Sequence, residues 1–256
     1  DKAVLSQLAK EQYNYFVFTD LGSGCLSTIS TLLREKNVYV LDHHIPETAK
    51  EHRNILHINP HIFGHDGNME ISASGVVYLF ACAVNKRLEE LAHISIIGAT
   101  GDIQENNGFI GLNNMILNKA ISNDSIEVSR GLRIFGRQTR PLHKILEYTT
   151  DPYIPDVTGS ESGAIQFLYD LGIEPKNENG WKKLIHLTEE EMQRLVTGII
   201  MRRINEVSPE DVLGNIYTLK NEPPESPLRD IKEFTTLLNA CGRLNKPSLG
   251  IGACIG

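Results

Sequence analysis

Three short apolar runs, Tyr15-Phe-Val-Phe18, Val38-Tyr-Val-Leu41 and Ile55-Leu-His-Ile58, do most to limit what this chain can become. Each is rich in aromatic or β-branched residues, too short for a helix, and bounded by polar or turn-forming residues, which is how strands are written. Gly22-Ser-Gly24 turns the chain after the first run, and Leu26, Ile29, Leu32 and Leu33 then recur at helical spacing. Strands separated by helices predict a parallel sheet, because parallel neighbours need a crossover rather than a tight hairpin. A helix capped near Ser72 or Ser74, burying Val76, Val77, Leu79 and Phe80, and another over about Leu88–Ala99 continue the α/β pattern.

Beyond about Asn106 the pattern changes. Helices are expected over 160–171 and 188–205, the second opening on Glu189-Glu190-Glu191, acids that suit a helix N-terminus. A hinge is expected at 208–214, then a strand at 215–219, a helix at 228–239 and a final strand at 248–255. This predicts three regions: a parallel-sheet α/β domain with flanking helices over 1–125, a helical connector over 126–207, and the start of a smaller second α/β domain over 208–256. The chain opens without an initiator Met and stops just after an apolar run, so the expectation is an internal fragment of a longer protein.

Composition removes several classes of function. The 256 residues are 41% hydrophobic and 22% charged, with no apolar stretch of about twenty residues, which excludes global disorder and a helical membrane span. A formal charge of -7 argues against coating nucleic acid through bulk positive charge, though not against a local basic groove. Cys25, Cys82, Cys241 and Cys254 lie far apart with no C-x-x-C pair, so the expectation is free thiols in a reducing cytoplasm.

Asp20, Asp42-His43-His44 and Asp102 each fall just after an apolar element. In open parallel sheets the loops past the carboxyl ends of strands form the ligand crevice, so such residues can converge. Oxygen and nitrogen donors without thiolate suit manganese, magnesium or iron. Two ions bridged by one aspartate, roughly 3.5–4 Å apart, stabilise the attacking and leaving oxygens of a phosphoryl displacement. A lone aspartate after a strand is ordinarily a cap or turn residue. Adjacent histidines there have fewer structural uses, the bland alternative being a cap with one imidazole facing solvent.

Arg130, Arg133, Arg137, Arg140 and Lys144 form a run with no acid between Glu127 and Glu147. Their spacing would place all five on one helix face, suited to tracking phosphates, although Gly131, Gly136 and Pro141 interrupt such a helix; the other reading is a solvated connector. Phe135 and Tyr148 are base-stacking candidates or core, and Arg243 is a further candidate phosphate contact. His57, His61 and His65 have helical ligand spacing, but Pro60 and Gly64 break that helix. Asp66-Gly67 marks a turn.

Phe18-Thr-Asp20-Leu-Gly-Ser-Gly24, Leu41-Asp42-His43-His44 and Gly98-Ala-Thr-Gly101-Asp102 resemble, in order and spacing, the second, third and fourth motifs of the DHH phosphoesterase superfamily. The likeness is to its RecJ-like exonucleases of archaea, which Gly131–Pro141, Asp151–Pro155 and Leu238–Arg243 also resemble. The family's first motif, an Asp-x-Asp-Gly loop, has no counterpart in the nineteen residues before Asp20, whose only acids are Asp1 and Glu11. The Gly-rich, His-containing motif of its C-terminal domain is absent as well. The chain as given is therefore expected to hold metal poorly.

The resemblance implies a DHH domain followed by a DHH-associated domain, and two Mn2+ or Mg2+ ions in the complete protein. Asp20 would bridge them, His43 and Asp102 would complete one site, and His44 would reach the scissile phosphate or the second metal. Asp42 would stand behind, fixing an imidazole tautomer, so His44 and Asp42 are the catalytic candidates. The implied activity is a metal-dependent, single-strand-specific exonuclease, with DNA or RNA against Arg130, Arg133, Arg137, Arg140 and Arg243. Alternatives are a small-substrate hydrolase (oligoribonuclease, cyclic dinucleotide phosphodiesterase or pyrophosphatase) or a non-catalytic replisome scaffold. Replication or repair in the cytoplasm, with GINS or another replisome partner and no membrane, is the implied setting.

Overall fold

The computed structural model describes residues 2–48, 53–178 and 180–255, so Asp1 and Gly256 lie outside it. The chain divides into two compact units, 1–123 and 124–256.

In the first unit, β1 (Tyr15–Thr19), β2 (Asn37–Leu41) and β3 (Ile55–Ile58) form a parallel sheet in the order β1-β2-β3. Tyr15 pairs with Asn37 and Val38 with Ile55, which brings the carboxyl ends of all three strands to one edge. Two apolar layers hold the sheet. On one side α1 (Lys2–Leu8) and α2 (Leu26–Leu32) bring Leu5, Leu26 and Ile29 onto Val38 and Val40 of β2, with Leu33 beside them. On the other, α3 (Ala73–Val84) joins Leu41, Ile71 and Val76, with Leu79 and Phe80 alongside. Ser72 is the cap of α3, its hydroxyl accepting from the Gly75 amide.

The helix expected at Leu88–Ala99 begins later, as α4 (Ala92–Gly101), after a 3-10 segment over Lys86–Leu91. Ala92, Ile96 and Ala99 are fully buried, which is why the helix reads apolar all round rather than amphipathic. Gly98 lets it approach α3, since a Cβ there would collide with the Ser74 side chain. Packing against α5 (Gly111–Ser122) completes the unit. No helix among the described residues is long and apolar enough to cross a membrane.

In the second unit, β4 (Ile126–Leu132) pairs antiparallel with β7 (Leu213–Leu219) over seven residues. Around this ribbon lie α6 (Leu142–Tyr148), α7 (Glu161–Asp170), a minimal hairpin of β5 (Lys176–Asn177) and β6 (Gly180–Trp181), α8 (Glu189–Arg202), α9 (Ile231–Arg243) and α10 (Pro247–Ile255). The core joins Leu142, Ile145, Leu146, Phe167, Leu168, Leu195 and Ile199.

Three expectations are corrected here. The β4–β7 ladder ties 213–219 to 126–132, so 126–207 and 208–256 are one compact unit with no boundary at 208. The run 248–255 is helical: Pro247 presets the first turn, and Gly250 packs α10 onto Cys241 and Leu238 of α9. The basic run is not one helix face. Arg130 lies in β4, Arg133, Arg137 and Arg140 follow in irregular chain that turns at Gly136 (φ +94°), and Lys144 lies in α6.

Candidate metal centre

Asp20 follows β1 directly. Its amide still bonds the Leu41 carbonyl, continuing the ladder, and its backbone then enters the left-handed region (φ +62°) to turn the chain over the sheet edge. Its carboxylate stays exposed. Opposite it, β2 ends at buried Leu41 and runs into Asp42-His43-His44.

Asp42 is fully buried and organises this tripeptide. Its Oδ1 accepts from the His43 amide (2.8 Å), the His44 amide (3.3 Å) and His44 Nδ1 (2.7 Å), and its Oδ2 accepts from the Ser23 amide (2.9 Å). Burial alone would raise its pKa. The Ser23 amide, the His44 ring and the other donors outweigh burial and hold the carboxyl at about 2. Because His44 Nδ1 is occupied by Asp42, the lone pair of neutral His44 is on Nε2.

His43 is oriented the same way from another direction, Nδ1 donating to the Gly67 carbonyl at 2.7 Å. That leaves Nε2 facing Asp20 Oδ1 at 3.3 Å and Asp102 Oδ2 at 4.0 Å. The bond to Asp20, opposed by burial and helped by Gly67 and Asp102, raises the His43 pKa to about 9. Asp102 comes from elsewhere in the chain, at the C-terminal end of α4. Burial raises its pKa, with His43 pulling the other way. The negative end of the α4 dipole points the same way as this carboxylate, so α4 delivers an electrostatic demand for a cation here.

The donor set fits a hard divalent cation. Asp20, His43 and His44 offer ligand atoms within 4.8 Å of one another. Donors about 2.1 Å from an ion at right angles to each other stand about 3 Å apart, close to the Asp20–His43 separation. A cleft of about 450 Å³ opens beside Asp20 and Asp102, walled by Val77, Tyr78 and Ile94.

Sequence reasoning missed the supports. Asn59, the residue directly after β3, is fully buried and donates to both the His44 carbonyl and Ser23 Oγ, each at 2.8 Å. Ser23 Oγ lies 2.9 Å from His57 Nε2, whose pKa burial lowers, so a neutral ring accepts the Ser23 hydroxyl. The Asn-Pro pair after a strand was the available signal. Gly67, dismissed as a turn residue, carries the carbonyl that orients His43.

The basic residues differ in their surroundings. Arg130 and Arg243 are exposed, and Arg140 lies over the Phe135 ring at 4.9 Å. Arg133 pairs with Asp151 at 3.7 Å, and Lys144 with Glu147 and Glu161 at 2.8 and 3.0 Å. Arg137 turns inward, donating to the Leu132 carbonyl with Asp230 and Glu233 nearby. It is a structural cation rather than a solvent-facing phosphate contact. Phe135 and Tyr148 are both exposed rather than core.

A parallel sheet whose second strand ends in Asp42-His43-His44, with Asp20 and Asp102 converging on His43, defines an α/β protein with a candidate metal site at the carboxyl edge of its sheet. Residues 134–216 match the family model of the DHH-CID domain. The chain is 34% identical over 259 aligned positions to the uncharacterized protein MJ0831 of Methanocaldococcus jannaschii, covering 99% of this chain and 55% of that protein. It thus spans about half the length of this curated relative. The crystal structure of CDC45 from Entamoeba histolytica shares the fold at a TM-score of 0.72 and 14% identity, over all of this chain and 57% of that one. The family-model match thus covers residues 134–216, and the likeness to CDC45 extends a shared fold over the whole chain.

Proposed function

We propose that this chain carries the metal site of a phosphodiesterase, a single-strand-specific exonuclease in the complete protein. The observation behind this reading is the meeting of Asp20, Asp102 and His43 Nε2 beside an open cleft, with each histidine's other nitrogen already committed. Asp20, His43, His44 and Asp102 are the residues that would hold Mn2+ or Mg2+. Bound there, a pair of such ions supplies an activated water and neutralises charge on the scissile phosphate.

The chain's own residues divide the remaining work. Asp42 keeps the His44 Nδ1 proton in place, so that His44 presents Nε2 to a ligand or phosphate oxygen. Gly67 does the same for His43. Arg130, Arg140 and Arg243 are the exposed candidates for backbone phosphates, and Phe135 for a base. A replisome partner such as GINS belongs to this reading by family resemblance.

The test is digestion of single-stranded DNA and RNA, labelled at either end, with Mn2+ present and Asp102→Ala as control, using the longer natural chain. Stepwise shortening that the substitution reduces at least 100-fold supports the exonuclease. Intact polymer despite bound Mn2+ moves the assignment to a small phosphoester substrate, and absence of Mn2+ binding moves it to a non-catalytic scaffold.

A further inference from the structure

His43 is gripped from both sides by one reversal of the chain. Asp102, at the end of α4, faces its Nε2, and the backbone then turns back through Ile103 in the left-handed region (φ +59°). The Gln104 amide returns to the Ala99 carbonyl at 3.0 Å, which carries the Gln104 side chain inward. There Gln104 Nε2 donates to the Gly67 carbonyl at 2.9 Å, the same oxygen that accepts from His43 Nδ1. Two donors fill the two lone pairs of that oxygen and fix its direction.

The amide of Gln104 is set at both ends. Facing a carbonyl, it must present Nε2, and Oε1 then accepts from Asn113 Nδ2 at 2.6 Å. Asn113 is fully buried in the first turn of α5, and its backbone amide bonds the Glu70 carbonyl at 2.7 Å, tying α5 to the 66–70 turn that holds Gly67. Gly67 in turn is pressed onto His43, where a Cβ would collide with the His43 carbonyl and approach His61 Nε2. None of these residues is an acid or imidazole, so no ligand pattern in the sequence points to them.

The geometry points to Gln104 as a positioning residue for His43: through the Gly67 carbonyl it holds the ring with its proton on Nδ1 and leaves Nε2 facing Asp20 and Asp102. This rests on reading Asp20, His43 and Asp102 as metal ligands. Groups that orient a ligating imidazole typically change metal affinity 10–100-fold when removed.

Two variants test it. Gln104→Met keeps length and removes the donor, while Gln104→Glu keeps shape and sets an acceptor against the Gly67 carbonyl. Ile116→Val, a core change in α5 without polar contacts, controls for destabilisation. In metal-free protein, 15N-edited NMR reads the His43 Nδ1 proton and its exchange with water; calorimetry then reads Mn2+ binding to the metal-free chain. The expected result is at least tenfold faster exchange of that proton in both Gln104 variants and a 10–100-fold rise in the Mn2+ Kd, with the control unchanged. A folded Gln104→Glu or Gln104→Met protein with unaltered exchange and Kd overturns the proposal, as does an equal change in Ile116→Val. If the longer natural chain binds no Mn2+, the metal reading fails by itself, and the proton-exchange comparison alone upholds or overturns the role of Gln104.

Discussion

Replacing Asp42 with Asn removes one charge and almost no volume from the organiser of the Asp42-His43-His44 corner. Three of its four accepted bonds converge on Oδ1, so an asparagine places its carbonyl oxygen there and its NH2 opposite the Ser23 amide, donor against donor. Losing that bond and leaving a buried amide unpaired costs about 1–3 kcal/mol, and the three remaining bonds weaken as their acceptor becomes neutral. The depressed pKa gives a second route to the magnitude. A carboxyl near 2 in the folded chain, against its ordinary 3.8, corresponds to about 2.5 kcal/mol at neutral pH.

The sign follows from proton binding. Below the ordinary carboxylate pKa the unfolded chain takes up protons before the folded chain does, so the stabilisation present above pH 5 fades as pH falls toward 2 and stands at about half by pH 3. Urea unfolding of metal-free protein, followed by far-UV circular dichroism, should therefore show Asp42→Asn about 2–3 kcal/mol less stable at pH 7 and about half as disadvantaged at pH 3. Fluorescence of Trp181, the sole tryptophan, reports separately on the second unit. A variant as stable as wild type at pH 7, or one with the same deficit at pH 3, would falsify this account of the corner.

Asp230, buried at the start of α9 and accepting from the Lys232 and Glu233 amides, gives the opposite slope. Burial, countered by Arg137, raises its pKa to about 6, so the folded chain holds the proton more tightly and stability falls by about 2 kcal/mol from pH 4 to pH 6. Asn still caps a helix, so Asp230→Asn should flatten that part of the pH profile of Trp181-monitored unfolding; a parallel profile would count against it. In the same unit, Leu168→Ala empties a fully buried position and should lower the urea midpoint by an amount equivalent to 2–5 kcal/mol, roughly the range for such truncations, whereas a loss below about 1 kcal/mol would mean the site collapses around the gap.

The sequence by itself determined the strands and the ends that matter. Strong β-propensity over 15–18, 38–41 and 55–58, with helical periodicity between, leaves little but a parallel sheet, and parallel connections put Asp20 and Asp42-His43-His44 at one edge. Ser72 was legible as a cap, because capping is local chemistry. The basic run misled because a charge pattern at helical spacing says nothing about partners: pairing with β7 made Arg130 a strand residue, and burial beside Asp230 and Glu233 turned Arg137 inward. The 248–255 run misled because short apolar segments rich in Gly and Ile read alike in both periods, and contact with α9 decided for a helix.

Which nitrogen of each histidine is free was decided only in three dimensions. Asp42 settles His44 from two residues away, a relation a sequence can suggest. His43 is settled by a backbone carbonyl at Gly67, which also accepts from Gln104, itself held by Asn113 of α5. Backbone carbonyls carry no residue identity, and a hydrogen bond across 24 positions exists only once the helices have packed, so the ligands were written in the sequence and their orientation in the fold.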